Sequence, residues 1–161
     1  RLYVLAPMQT DAVEARQAYN RAEALGVGPL AFPDHLNRPQ IVTRIGENKI
    51  QTAVFDNWAE PLQGNFQRVL AENLALLRST LKDIHRIELE VLRFDAEMQG
   101  EAVLTVRWEL IDARGRQLLP KRRAVYRQRV ADANYDAIVA AMSLALADFS
   151  RDLAAEIATL P

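Results

Sequence analysis

The first residues to question are His35 and His85, because imidazole transfers protons near neutral pH and binds transition metals. They lie far apart in the chain, and neither is followed at strand or helical spacing by a second histidine. Both therefore read as exposed or capping residues rather than as half of a metal site. The hydroxyls of interest, Ser79-Thr80 and Ser143, lie outside any Gly-x-Ser-x-Gly elbow, and Ser143 falls within a helical pattern. Gly26-Val27-Gly28 lacks the third glycine and the following helix that a dinucleotide site needs. Glu88 and Glu90 alternate along one strand face, about 7 Å apart. That separation suits acid–base work on a sugar. It suits equally the solvated face of a half-covered sheet.

A basic run, Lys121-Arg122-Arg123 with Arg127 and Arg129, forms a second constellation, with Arg107 and Arg116 as possible neighbours. Such a stripe can meet acidic lipid head groups, nucleic acid or an acidic partner. It can also be a strand edge guarded by charge against unwanted pairing. Nucleic acid is disfavoured, because no aromatic pair interleaves the cations. Of the two tryptophans, Trp108 alternates with Leu104 and Val106 and reads as core. Trp58, ahead of Pro61, is either a core anchor or a partner contact.

The elements that must position these residues come from a chain of 161 residues, half of them hydrophobic, which suits a single domain over 1–161. A chain of that size buries roughly 68–70% of its unfolded surface and needs no disulfide or metal to hold it. It contains no cysteine, which removes thiol catalysis and cysteine-based metal sites. Its 20 basic and 21 acidic residues leave a net charge of −1, so no global field attracts nucleic acid. No apolar run reaches the ~20 residues needed to span a bilayer as a helix. The start at Arg1-Leu2-Tyr3 reads as an internal one, with any targeting segment processed away.

Arg1 to Ala6 alternates as a strand closed by Pro7, with Tyr3 and Leu5 on one side and Leu2 and Val4 on the other. Residues 10–23 carry only a weak stripe and predict a loop or short helix. Leu25 to Phe32, broken by Gly26, Gly28 and Pro29, predicts an edge or bulged strand. Pro33 to Pro39 is turn chemistry with room for one helical turn at Asp34. Gln40–Ile45 and Lys49–Phe55 form a hairpin across Gly46-Glu47-Asn48. A helix follows on Leu62, Phe66, Val69, Leu70, Leu74 and Leu77, capped by Asp56 or Asn57.

Arg86–Phe94, Ala102–Ile111 and Arg122–Val130 alternate and are joined by short turns, an antiparallel meander. A long helix closes the chain, capped by Asp132 or Asn134, with Tyr135, Ile138, Val139, Met142, Leu146, Phe149, Leu153 and Ile157 in one stripe. The sum is an α/β domain: a mixed, mostly antiparallel sheet with two main helices packed on it.

The ordered text also resembles a known family. Leu2-Tyr3-Val4-Leu5, Val27-Gly28-Pro29 and Phe32-Pro33-Asp34-His35-Leu36-Asn37-Arg38-Pro39-Gln40-Ile41-Val42-Thr43-Arg44 are similar to segments of the ABC-type transport auxiliary lipoproteins. So are Asp56-Asn57-Trp58-Ala59-Glu60-Pro61-Leu62, Arg68 to Leu74, Trp108-Glu109-Leu110 and Tyr135 to Ser143. The family commonly has tyrosine where His35 stands, a further reason not to read His35 as a ligand.

The resemblance implies a non-enzymatic periplasmic helper of a Gram-negative lipid transport system working between the two membranes. It implies MCE-domain and ABC permease partners, and an outer-membrane anchor on a lipobox cysteine upstream of Arg1. It also implies a homo-oligomer, and neither cofactor nor nucleic acid. No catalytic residue carries over. The partner-contact candidates are Leu36, Arg38, Pro39, Gln40, Trp58 and Pro61, whose other role is to fix the turn and the start of the helix. The alternative function is a soluble periplasmic carrier that holds an apolar ligand itself.

Overall fold

The computed structural model describes residues 1–22, 27–79 and 84–160. Seven strands form one twisted sheet: β1 (Leu2–Tyr3), β2 (Val27–Ala31), β3 (Gln40–Ile45), β4 (Lys49–Trp58), β5 (Arg86–Ala96), β6 (Glu101–Ile111) and β7 (Arg122–Arg129). Among the described residues three α-helices accompany it: α1 (Ala12–Ala22), α2 (Leu62–Leu76) and α3 (Tyr135–Ala158). The strand order is β1-β4-β3-β5-β6-β7, and β2 pairs with β5 off that path. Three pairings are parallel and three antiparallel. The sheet is thus evenly mixed, not mostly antiparallel. Local hairpin signals reveal antiparallel neighbours, whereas the parallel pairings β1–β4, β2–β5 and β3–β5 join segments distant in sequence.

The meander β5–β6–β7 is the most extensively paired part of the sheet. Ile87, Leu89, Val91, Leu104, Val106, Trp108, Leu110 and Tyr126 line its inner face, all buried. A bulge between Val91 and Arg93 shifts the alternation by one residue, so Phe94 and Ala96 still point inward. Against this face α2 sets Phe66, Val69, Leu70 and Leu74, and α3 sets Ile138, Met142, Leu146, Phe149 and Leu153. Phe66, Phe94 and Phe149 are fully buried. Each such side chain contributes up to about 3 kcal/mol over its exposed state.

The helix ends follow local chemistry. Asn134 caps α3, accepting the Ala137 amide at 2.8 Å. Neither Asp56 nor Asn57 caps α2, contrary to the sequence expectation: both belong to β4, and α2 begins at Leu62 directly after Pro61. Proline fixes the chain direction there and offers no cap. At the other end of α2, Arg78 adopts φ 56°. Its amide donates to the Ala75 carbonyl, and the Ser79 amide donates to that of Leu74. That pair of bonds closes the helix with a left-handed residue.

The weak stripe of residues 10–23 resolves as α1, a third helix. Only Ala18 is buried on it, and it packs on α2 instead of the sheet. The strand expected from Leu25 begins in residues outside the described set; its described part is β2, bulged between Val27 and Leu30.

The N-terminal segment departs from a simple strand. β1 ends at Tyr3, and residues 4–8 run as a strap over the cleft between α2 and α3. Asn65 Oδ1 accepts the Leu5 amide at 2.7 Å, Ser143 Oγ that of Ala6 at 3.0 Å, and Asn73 Oδ1 that of Met8 at 2.8 Å. Asn73 Nδ2 also donates to Ser150 Oγ at 3.0 Å. The strap lacks a strand partner, and these side chains supply the acceptors its amides need. Ser143 thereby gains a structural role.

Candidate functional site

A groove of about 380 Å³ opens where β4 ends and α2 begins. One wall is the turn between β2 and β3. There Asp34–Leu36 form a single 3₁₀ turn, the Leu36 amide donating to the Pro33 carbonyl and Asn37 to that of Asp34, both at 3.0 Å. Proline at both flanks forbids a longer helix and holds Arg38 and Pro39 outward. The turn is tied to β4 by the Trp58 amide, which donates to the Pro39 carbonyl at 2.7 Å. The other wall is Ala59 to Gln63, the start of α2.

Five of the six candidate residues line this groove: Leu36, Arg38, Pro39, Trp58 and Pro61. Leu36 and Trp58 are buried and form its floor, while Arg38, Pro39 and Pro61 are exposed on its rim. Gln40 does not join them. It is half-buried on β3, opposite Asn57. Behind the floor, Phe32, Phe66 and Phe94 pack edge to face, with centroids 5.3–6.5 Å apart. That cluster makes the floor stiff.

Sequence reasoning missed the polar rim. Glu60 pairs with Arg68, and Gln63 Nε2 donates to the Leu30 carbonyl at 2.8 Å. Asp34 and Asn37 complete it. These are ordinary surface types, and only the tertiary turn brings them to one opening. A leucine and an indole beneath a rim of prolines and polar groups suit an extended peptide.

The other constellations resolve into internal pairs. Glu88 receives Arg86 at 2.7 Å, and Glu90 receives Arg107 at 2.5 Å. The two carboxylates thus each face an arginine on the outer side of the sheet. His85 is exposed and His35 half-buried, and among the described residues no cluster of His, Asp and Glu forms a metal site. In the basic stripe Arg127 pairs with Glu101, Arg122 with Glu156 and Arg116 with Asp112. Trp108 is core, as expected, against Phe149 at 5.2 Å. Beside the groove, Asp56 receives Arg1 Nε at 2.7 Å and the Tyr3 hydroxyl at 3.0 Å. The Arg1 hydrogen bond, above all, holds this carboxyl below its usual range.

Residues 3–154 match the family of the ABC-type transport auxiliary lipoprotein component. The chain belongs to that family. Its members are auxiliary parts of ABC-type transport and are lipoproteins, so the chain is an associate of transport-system components in the bacterial envelope. Two solved structures share the fold. One, of an uncharacterized protein, is 24% identical, covers 97% of each chain and has a TM-score of 0.76. The other, from Xanthomonas campestris, is 15% identical, covers 96% of this chain and 92% of its own, with a TM-score of 0.72. No curated protein matches the chain. Among the described residues no helix is long and apolar enough to cross a membrane.

Proposed function

We propose that this chain is the non-enzymatic periplasmic docking module of an MCE/ABC-type system that moves lipid between the inner and outer membranes. It is tethered to the outer membrane by lipid and grips an MCE-domain or permease partner through the groove. The observation that carries this reading is the convergence of Leu36, Arg38, Pro39, Trp58 and Pro61 on one opening with a stiff aromatic floor. Peptide hot spots favour such a setting, an aromatic anchor ringed by polar groups. Family membership supplies the transport context.

The carrier reading has less support. The space between sheet and helices is filled by Phe66, Phe94, Phe149, Leu70, Met142 and Leu146, all essentially without exposure. A lipid would have to displace that packing. The deciding experiment isolates the full-length protein from envelopes by mild detergent extraction. The docking reading expects an MCE-domain or permease protein to co-elute. Native mass spectra showing a retained lipid and no protein partner would favour the carrier.

A further inference from the structure

The most exposed apolar side chains in the described structure are Val54 and Phe55, each 77% exposed, on adjacent positions of β4. They lie within the stretch where β4 slips out of register with β3, between the Gln40–Asn57 and Val42–Thr52 pairings. Leu2, 71% exposed on the neighbouring β1, and Val4, 50% exposed where the strap begins, add two more exposed aliphatic side chains beside them. Leu2 lies opposite Asn57 and so shares a strand face with Phe55. β1 pairs with β4 only at Asn57 and Trp58. An exposed phenylalanine and three aliphatic neighbours at a sheet edge are a liability unless something covers them.

The position of Arg1 points to the occupant. Its backbone nitrogen donates to the Phe55 carbonyl at 2.6 Å, and the Asn57 amide donates to the Arg1 carbonyl at 2.9 Å. A lipid tether joined on the N-terminal side, as the family's lipoprotein character implies, would leave the fold from within this patch. The carboxylate between Phe55 and Asn57, Asp56, is paired with Arg1 and receives the Tyr3 hydroxyl. Lys49 lies further along the same strand. We infer that Val54 and Phe55, with Leu2 and Val4, form a membrane-facing edge that inserts into the headgroup region of a phospholipid bilayer beside the tether. Apolar side chains on an otherwise polar body, held at the surface by an acyl anchor, add buried apolar area at the headgroup boundary. The inference rests on tethering at the N-terminal side, and not on which protein occupies the groove.

The absence of cysteine makes single-site labelling clean. The chain would carry an environment-sensitive NBD label at Phe55→Cys or, as control, at Leu144→Cys on the exposed side of α3. An N-terminal histidine tag would hold it on phosphatidylethanolamine–phosphatidylglycerol vesicles containing a nickel-chelating lipid. The expected result is a blue-shifted, brightened NBD signal at position 55, quenched by bromolipid, with position 144 unchanged. A Val54→Ser/Leu2→Ser background should cut the inserted fraction by roughly tenfold. No quenching at 55 while the protein is held on the vesicle overturns the inference. So does a signal at 55 that rises with protein concentration in the absence of vesicles, which would assign the edge to a second copy. Because the tag imposes the tether, either failure leaves the native anchor untouched. That anchor is read separately by acyl labelling of the full-length protein.

Discussion

At the scale of single residues, the ion pairs on the outer face decide more than the isolated titratable groups do. Asp95 is fully buried and receives Arg44 Nη2 at 2.9 Å and Arg93 Nε at 2.9 Å. It matters because β3 and β5 share a single register pair, Thr43 with Ala96, so the carboxylate clamps the narrowest joint of the sheet. Asp95→Ala would leave two arginines facing a dry pocket. The arginines are partly exposed and can turn to water, so the cost falls at the lower end for a broken buried pair, about 3 kcal/mol. Urea unfolding should show a lower midpoint with an unchanged slope. Asp56 gives a pH prediction. Its folded pKa lies below the ordinary carboxylate value, so the stability it contributes is present above about pH 4 and is lost as pH falls through the folded value. Asp56→Asn should flatten that part of an acid-denaturation profile. A profile unchanged by the substitution would show that the Arg1 contact is not held in solution.

At the scale of elements, the strap over α2 and α3 depends on polar side chains that sequence periodicity places at buried positions. Asn65, Asn73, Ser143 and Ser150 are all buried, and three of them accept strap amides. Asn73→Ala removes the acceptor for Met8 and the donor to Ser150. The expected loss is about 1–3 kcal/mol, with the Met8 amide exchanging at least tenfold faster while β6 amides stay protected. Equal acceleration across β6 would mean that the strap is not a separable unit.

The same elements show how far the sequence could be read. The meander, α2, α3 and the Pro-bounded turn were legible because alternation, helical stripes and proline act locally. Asn134 was legible as a cap for the same reason. The strap was not, since an amide held by a distant asparagine leaves no periodic trace. The Asp56 and Asn57 caps failed because a capping residue type is cheap in sequence; here both continue β4. The evenly mixed sheet was hidden because its parallel pairings join segments remote along the chain.

For the whole molecule, the fold divides its surface by chemistry. Helices cover the inner face of the sheet, and arginine–carboxylate pairs cover much of the outer face of the meander. The groove and the Val54–Phe55 edge lie outside both of these coverings. The candidate groove was partly legible: Leu36, Arg38, Pro39, Trp58 and Pro61 stood out as prolines, an indole and their neighbours. Gln40, named with them, lies on β3 opposite Asn57 and does not line the groove. Glu60 and Gln63 were missed because nothing in their types marks them before the turn folds against α2.

The central claim, that the groove grips a transport partner, is tested most directly by crosslinking in the native envelope. A photoreactive amino acid would replace Pro39 on the rim or, as control, Leu144 on α3, in the full-length protein. The account predicts a crosslink from position 39 to an MCE-domain or permease protein, reduced at least tenfold by Arg38→Glu, and none from position 144. A position-39 probe that yields no protein adduct, while the partner co-purifies undiminished, would contradict it.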